Sequence, residues 1–199
     1  MPTAPPPLIL ASTSRYRHEL LQRLRLPFTA ESPGVDEGAI AGEAAADLAL
    51  RLARAKAAAV AARHPGAVVI GSDQVAACGG AVLGKPGTPA RACEQLARAS
   101  GMTVVFHTAV AVLGADGETR QEHRDETRVR FRRLTAREIA RYVELDQPLD
   151  CAGSFRSEGL GIALFEAIET CDPTALIGLP LVWLAGALTR AGLDALAVS

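Results

Sequence analysis

One aspartate and two lysines are the residues whose type and position most suggest chemistry. The segment GSDQVAACGGAVLGKP, residues 71–86, places Asp73 after an apolar run and Lys85 in a glycine turn. Of the 21 lysines and arginines in the chain, only Lys56 and Lys85 are lysines. An ammonium is a compact charge that fits between phosphate oxygens. A planar guanidinium reaches such a position less easily. The two lysines therefore point to phosphate contacts, with chance placement as the alternative.

The carboxylate and the lysine turn suggest phosphate chemistry of a particular kind. A carboxylate at the end of a buried strand, as expected for Asp73, can hold a divalent metal or take a proton from water. The Gly-Lys-Pro turn around Lys85 can direct an ammonium at a phosphate. The pattern G-x-x-x-x-G-K-[ST] is absent, which excludes a P-loop mechanism.

Two further segments carry polar groups suited to a ligand. In ASTSRYRHELL, hydroxyl residues and Arg17 stand where a strand turns into a helix, and free N–H groups there favour an anion site. Ser and Thr are also ordinary helix caps, and that alternative stays open. The glycine-rich segment CAGSFRSEGLG, residues 151–161, contains Glu158 and could bend around a ligand or serve only as a connection.

Bulk properties exclude several classes of protein. The 199 residues are 49% hydrophobic, which allows one large domain, and the net charge of −1 offers no broad basic surface for nucleic acid or anionic lipid. No apolar run is long enough for a membrane span. The start MPTAPPP lacks the features of a signal peptide, so we expect a disordered tail over residues 1–7 and a single domain over 8–199.

The cysteines and the charge pattern of one strand complete the negative findings. No C-x-x-C pair or histidine spacing suggests zinc, so thiols in a reducing cytoplasm are expected at Cys78, Cys93, Cys151 and Cys171. The alternating arginines at 128, 130 and 132 indicate a solvated strand face, with a phosphate site as the alternative. We therefore expect a soluble, cytoplasmic protein.

Strand and helix patterns alternate without a linker or an internal repeat, which predicts one α/β unit with a mixed sheet. Strands are expected in LILA (8–11), PFTAES (27–32) and AVVIGSD (67–73), with Asp73 just beyond the end of the last, and in a hairpin turning at Asp116-Gly117. Helices are expected in STSRYRHELLQRLRL and over residues 44–63, 89–99, 135–145 and 180–191. Active sites in such sheets gather where strands end, which is where the polar segments lie.

Seven blocks in order resemble the Maf-like nucleotide pyrophosphatases. They are LILASTSRYRHELL, VDE (35–37), Lys56, IGSDQV, LGKP, CAGSFRSEGLGIALFE and DPTALIGLPL, and they extend from Leu8 to about Gly192. The serine-rich start, the S-D-Q triplet and G-S-F-x-S-E-G are similar to the branch acting on 7-methyl-GTP. The pyrimidine branch usually has Arg, Thr and Gln where this chain has Tyr16, Gln74 and Glu158. Arg15 departs from a common proline and Tyr16 from a frequent Trp.

The resemblance implies an inosine-triphosphatase-like architecture, an elongated mixed sheet flanked by helices with a cleft between two lobes. It implies hydrolysis between the α- and β-phosphates of a nucleoside triphosphate with a divalent cation, Mg²⁺ or Mn²⁺. Asp73 would take the proton, Glu37 and Asp73 would hold the metal, and a homodimer is possible. Phosphate contacts would come from Ser12, Arg17, Lys56 and Lys85.

The resemblance implies that base preference depends on Tyr16, Gln74 and Glu158. A 7-methylated guanine is cationic and stacks well on an aromatic face such as Tyr16. Its N1–H and N2–H₂ donors suit a carboxylate such as Glu158. The sequence therefore favours a 7-methyl-GTP pyrophosphatase that removes modified nucleotides. The alternatives are a dTTP or UTP pyrophosphatase and a nucleotide-binding regulator of septum formation.

Overall fold

Strands and helices alternate along residues 5–197, the part of the chain that the computed structural model describes. Seven strands lie there: β1 (Leu8–Ala11), β2 (Thr29–Ala30), β3 (Val68–Cys78), β4 (Ala81–Leu83), β5 (Thr103–Leu113), β6 (Arg120–Phe131) and β7 (Phe165–Glu169). Five α-helices accompany them: α1 (Arg15–Gln22), α2 (Ala45–Ala61), α3 (Pro89–Ala99), α4 (Ala136–Asp146) and α5 (Leu181–Arg190). None of these helices is long and apolar enough to cross a bilayer. Of the tail expected over residues 1–7, residues 1–4 lie outside the described part.

The strands form one mixed sheet in the order β2-β1-β3-β5-β6-β7, with β4 beside β3. Strand β1 is parallel to β2 and to β3, whereas β4 is antiparallel to β3 and β7 is antiparallel to β6. The predicted mixed α/β fold is confirmed. The strand expected in PFTAES is only two residues long, because β2 is an edge strand that pairs with β1 only at Ile9 and Leu10.

The described residues divide into two compact units. Unit 1 comprises residues 5–73, 108–124 and 172–197, and unit 2 comprises residues 74–107 and 125–171. The core of unit 1 is aliphatic, with Leu10, Ile70 and Leu184 among its fully buried members. Unit 2 contains a cluster of edge-to-face rings formed by Phe106, Phe131, Phe155 and Phe165.

The predicted hairpin turn lies in unit 1. Strands β5 and β6 are neighbours in the sheet, and Gly114 N donates to Thr119 O at 2.8 Å across the turn. Asp116 Oδ1 accepts from Thr119 N at 2.9 Å, while Gly117 adopts a φ of +74° that favours glycine. The turn chemistry read from Asp-Gly is confirmed.

The arginine row of β6 carries carboxylate partners. Arg130 lies 3.2 Å from Glu166 and Arg132 lies 2.8 Å from Glu138. These pairs are solvent-accessible and therefore contribute little to stability. The interpretation of this row as a solvated strand face is supported by these contacts.

A glycine allows helix α2 to approach strand β3 closely. A Cβ added at Gly71 would lie 2.2 Å from Ala53 O and 2.5 Å from Ala57 N, both on α2. Because side chains alternate along a strand, residue 73 faces the same side as residue 71. The neighbour of Ala57 on the helix is Lys56. The close approach at Gly71 thus brings Lys56 beside Asp73.

Gly71→Ala should destabilise unit 1. The added methyl meets backbone atoms that cannot move away, and overpacking of this kind costs about 1–3 kcal/mol or more. For a chain of this size the expected fall in Tm is roughly 3–10 °C. The measurement is thermal unfolding followed by circular dichroism.

Gly84→Ala is the matched control, because a Cβ at Gly84 meets nothing within 4 Å. Its Tm should stay within about 1 °C of that of the unmodified protein, in keeping with a surface substitution. Equal Tm values for the two variants would show that the packing of α2 on β3 does not depend on the close approach at Gly71.

Candidate active site

Most of the predicted site residues lie in one unit. Of the nine, unit 1 holds Ser12, Tyr16, Arg17, Glu37, Lys56 and Asp73, and unit 2 holds Gln74, Lys85 and Glu158.

The centre of the unit 1 cluster is a buried ammonium between two carboxylates. Lys56 Nζ lies 2.6 Å from Asp73 Oδ1 and 2.5 Å from Glu37 Oε1. Lys56 is 5% exposed and Asp73 is 8% exposed, whereas the side chain of Glu37 is 55% exposed. Lysine on the buried face of α2 is costly unless it is paired, and both carboxylates provide that pairing. The resemblance implied a phosphate contact for Lys56, and the partners that the structure shows are the two carboxylates.

The position of Asp73 along its strand differs from the prediction. The expectation that Asp73 lies just beyond the strand end was wrong, because β3 continues to Cys78. The continuation is stabilised by β4, which pairs with residues 76–78 of β3. Asp73 therefore has strand backbone on both sides, and its carboxylate is restrained by burial and by the contact with Lys56.

Arg17 provides a second cation beside the same carboxylates. It lies in the first turn of α1, where its Nε donates to Gly178 O at 2.9 Å and its Nη1 to Ser12 Oγ at 3.5 Å. Packing around the guanidinium lowers the pKa of Arg17, while the negative charges of Asp73 and Glu37 act in the opposite direction. Arg17 remains a cation, since an arginine pKa starts far above neutrality.

The hydroxyl residues before α1 shape the turn itself. Ser14 is the N-cap and its side chain accepts from Arg17 N. Ser12 Oγ accepts from Ser14 N at 3.1 Å and is almost fully buried. The capping role that the sequence left open therefore applies to Ser14, and Ser12 joins the turn to the Arg17 side chain.

A loop that the sequence analysis gave no role holds the Arg17 side chain. Asp172 is buried, and its carboxylate accepts from Thr174 N at 2.8 Å and from Val182 N at 2.7 Å. Thr174 Oγ1 accepts from Leu181 N at 2.8 Å. These bonds define the path of residues 172–182, so that the carbonyl of Gly178 meets Arg17 Nε. Only the block DPTALIGLPL hinted at this loop.

Ser72 is a second residue that sequence reasoning missed. Its hydroxyl is fully buried and lies 2.8 Å from Ala109 O and 3.1 Å from Gly178 O. One hydroxyl donates to one carbonyl at a time, and either bond ties β3 to its surroundings next to Asp73. A serine within S-D-Q is thus a structural anchor for the carboxylate that follows it.

Tyr16 is half-buried and shares its ring with a neighbour. The guanidinium of Arg15 lies 4.7 Å from the ring centroid, and Arg15 Nη2 donates to Tyr16 Oη at 2.7 Å. A cation over an aromatic face is a favourable contact of modest strength at an exposed position. Any base that stacks on Tyr16 therefore uses the other face or displaces Arg15.

In unit 2, Lys85 is exposed and is the second residue after β4. The turn around it is held by Gln95 Nε2, which donates to Gly84 O at 3.1 Å, and by Gly87 N, which donates to Leu149 O at 3.0 Å. Gln74 is half-buried at the first position of this unit. Lys85 is thus a solvent-facing cation on a restrained turn.

Glu158 stands on a loop with a buried anchor. It is exposed, and Ser157 Oγ lies 3.2 Å from its Oε2. The loop is attached to α4 through Asp146, which accepts from Tyr142 Oη at 2.8 Å and forms an ion pair with Arg156 at 2.8 Å. Burial, followed by the bond to Asp146, raises the pKa of Tyr142 far above its ordinary value. Tyr142 therefore stays protonated and donates its hydrogen bond to Asp146, which holds the loop against α4 through Arg156.

The carboxylate pair of unit 1 fits a divalent cation. Glu37 and Asp73 each direct one oxygen at the same ammonium, so a cation position between them already exists. No group of three or more Cys, His, Asp or Glu side chains suited to a metal occurs within residues 5–197. Mg²⁺ typically takes one or two carboxylates and completes its shell with water and substrate phosphates, which matches a pair of acids.

The chain matches one family model and is similar to several known proteins. A family model described as Maf-like protein matches residues 7–191. The 7-methyl-GTP pyrophosphatase of Bordetella pertussis is 59% identical over 196 residues, which cover 98% of each chain. That of Alkalilimnicola ehrlichii is 59% identical over 187 residues, 94% of each chain. Among solved structures, this chain is similar to the Staphylococcus aureus Ham1 protein, with 14% sequence identity and a TM-score of 0.45. The matched region covers 62% of this chain and 71% of the Ham1 chain.

Proposed function

We infer the function from the premise that the chain belongs to the Maf-like protein family. We propose that it is a nucleoside triphosphate pyrophosphatase that hydrolyses 7-methyl-GTP to 7-methyl-GMP and pyrophosphate. The observation that carries the proposal is the contact of the buried Lys56 with the buried Asp73 and the exposed Glu37, beside Arg17. Relatives that match nearly the whole chain and are named for this reaction support it.

The reaction needs a base and cations in one place. Water attacks the α-phosphorus, the bond from that phosphorus to the oxygen bridging the α- and β-phosphates breaks, and pyrophosphate leaves. We assign the proton of the water to the carboxylate of Asp73, which is rigidly held on β3. A positioned general base typically contributes on the order of 10² to 10⁴ in rate.

The cations neutralise charge that grows on the phosphates. A triphosphate carries about four negative charges, and phosphoryl transfer is accelerated mostly by positioning and electrostatic stabilisation. Arg17 and Lys56 are the two cations of unit 1 that we assign to phosphate oxygens, with Ser12 as a hydroxyl contact. Lys85 is the assigned phosphate contact of unit 2, where its exposure leaves the ammonium able to reach an anion.

We expect Glu37 and Asp73 to hold a divalent cation, Mg²⁺ or Mn²⁺, which when bound supplies positive charge to the phosphate oxygens. The two carboxylates fit that role because they already share one cation position. Glu37 is the more exposed of the two, so it can turn between partners, whereas Asp73 stays in place.

Base recognition is assigned to Tyr16, Gln74 and Glu158. The cationic 7-methylguanine gains more than a neutral base from an aromatic face and from a carboxylate. Tyr16 supplies the ring and Glu158 the carboxylate. Arg15 acts against this preference, because its guanidinium already lies over the Tyr16 ring and competes with a cationic base for that ring.

Glu158→Gln should reduce kcat/KM for 7-methyl-GTP more than for dTTP or UTP. An amide presents N–H to one of the two guanine donors and removes the charge, a loss of roughly 1.5–3 kcal/mol or about ten- to a hundred-fold. The measurement is kcat/KM for the three nucleotides.

Glu144→Gln makes the same change on an exposed acid of α4 and should leave all three values within about two-fold. An equal fall for every nucleotide in Glu158→Gln would mean that this residue shapes the site without reading the base.

The proposed function is tested by incubating the purified chain with Mg²⁺ and a panel of nucleotides while pyrophosphate is measured. The highest kcat/KM should belong to 7-methyl-GTP. A preference for dTTP or UTP would instead favour the pyrimidine reaction of the same family. Tight nucleotide binding without any pyrophosphate would favour a regulatory protein. The proposal includes a cytoplasmic location, where free nucleotides occur, and a possible homodimer.

A further inference from the structure

The ammonium of Lys56 occupies the position that a metal between Glu37 and Asp73 needs. Both carboxylate oxygens lie within hydrogen-bond distance of the one Nζ atom, at 2.5 and 2.6 Å. Lys56 and Asp73 are buried, so their attraction is screened by water much less than that of a surface pair. A divalent cation must therefore displace a cation that is already bound.

The charges of Glu37, Asp73, Lys56 and Arg17 balance one another. Glu37 and Asp73 carry two negative charges, and Lys56 and Arg17 carry two positive charges that act on them. A divalent cation approaching this cluster meets no net negative charge. A nucleotide changes the balance, because its phosphates add negative charge and acceptor oxygens for both basic side chains.

We propose that Lys56 is the resident counter-ion of the metal ligands and keeps metal affinity low until a nucleotide is present. The phosphates draw the ammonium away from Glu37, whose exposed side chain separates most easily, and the divalent cation enters with the nucleotide. The flexible four-carbon stem of lysine permits this change of partner, which the planar fork of arginine would hinder. The part concerning nucleotide rests on the proposed function, whereas the part concerning metal does not.

The test is titration of the nucleotide-free full chain with Mn²⁺, with free Mn²⁺ measured by electron paramagnetic resonance. Lys56→Met should bind one Mn²⁺ at least ten-fold more tightly than the unmodified protein. Adding Asp73→Asn to that variant should remove the gain. Arg54→Met is the matched control, because Arg54 is an exposed cation on the same helix that pairs with Glu122 at 2.5 Å. Its Mn²⁺ affinity should equal that of the unmodified protein.

An affinity for Mn²⁺ that is the same in Lys56→Met as in Arg54→Met would overturn the proposal. So would tight binding, with a Kd in the range of tens of micromolar, by the unmodified protein without nucleotide. That second measurement needs no variant to fold, and Lys56→Gln provides another substitution whose folding is checked by circular dichroism.

The outcome is separable from that of the proposed function. A gain in Mn²⁺ affinity in a protein that turns over no nucleotide would support the counter-ion role and contradict the pyrophosphatase function. Turnover of 7-methyl-GTP by the unmodified protein, together with no gain in Mn²⁺ affinity in Lys56→Met, would support the pyrophosphatase function and contradict the counter-ion role.

Discussion

Asp73→Asn should lower kcat for 7-methyl-GTP by about 10² to 10⁴, the contribution typical of a positioned general base. The amide keeps the shape of the carboxylate and can still accept a hydrogen bond from Lys56, but it takes no proton from water. Nucleotide binding should persist, since the substitution removes a negative charge beside an anionic ligand. The measurements are steady-state kcat with Mg²⁺ and a fluorescence or calorimetric titration with a nucleotide analogue that resists cleavage.

Asp47→Asn is the matched control for that variant. Asp47 lies on α2 in the same unit, is solvent-exposed and pairs with Arg124 at 3.1 Å. Its kcat should stay within about two-fold of the unmodified value, as for other exposed pairs. A kcat for Asp73→Asn within a few-fold of the unmodified protein would remove Asp73 from the role of base.

Lys56→Met should lower kcat/KM by about 10² to 10³, the range found when one charge-stabilising donor is removed from an active site. Methionine fills the space of the lysine stem, so packing on α2 is largely kept while the charge is lost.

The variant Lys56→Arg keeps the positive charge of the side chain but changes its shape. It should still lose at least about ten-fold in kcat/KM, because the larger guanidinium overfills a position that is 5% exposed and holds a compact ammonium.

Arg54→Lys exchanges the same two residue types at an exposed position of the same helix and should retain full activity. Circular dichroism should show that all these variants are folded. If Lys56→Arg had the kcat/KM of the unmodified protein, the preference for lysine at this position would have no chemical basis.

Local sequence patterns predicted an element well where its own residues are enough to determine its structure. The apolar run before Gly71 gave a central strand, and Asp116-Gly117 gave a hairpin turn, because both depend on neighbouring side chains. The extent of β3 beyond Asp73 depends on pairing with β4, and the shortness of β2 depends on its edge position. The residues of β3 and of β2 do not by themselves indicate either of these features.

The residue types of the site were predictable, but their partners were not. The rarity of lysine drew attention to Lys56, whereas its contact with Asp73 arises from the close approach at Gly71. Arg17 is held by a backbone carbonyl 161 residues away in sequence. A carbonyl has no signature in the sequence, so the loop at residues 172–182 could not be assigned a role. Lys85 and Glu158 are exposed on restrained segments of unit 2, and their contact with substrate stays a prediction.

The bond that is broken tests the proposed reaction most directly. Phosphorus-31 nuclear magnetic resonance of 7-methyl-GTP, incubated with the purified chain and Mg²⁺, distinguishes the products without labels. Cleavage between the α- and β-phosphates should give 7-methyl-GMP and pyrophosphate in equal amounts, and Asp73→Asn should slow both signals together. Formation of 7-methyl-GDP with inorganic phosphate, or an unchanged triphosphate spectrum, would contradict the pyrophosphatase function.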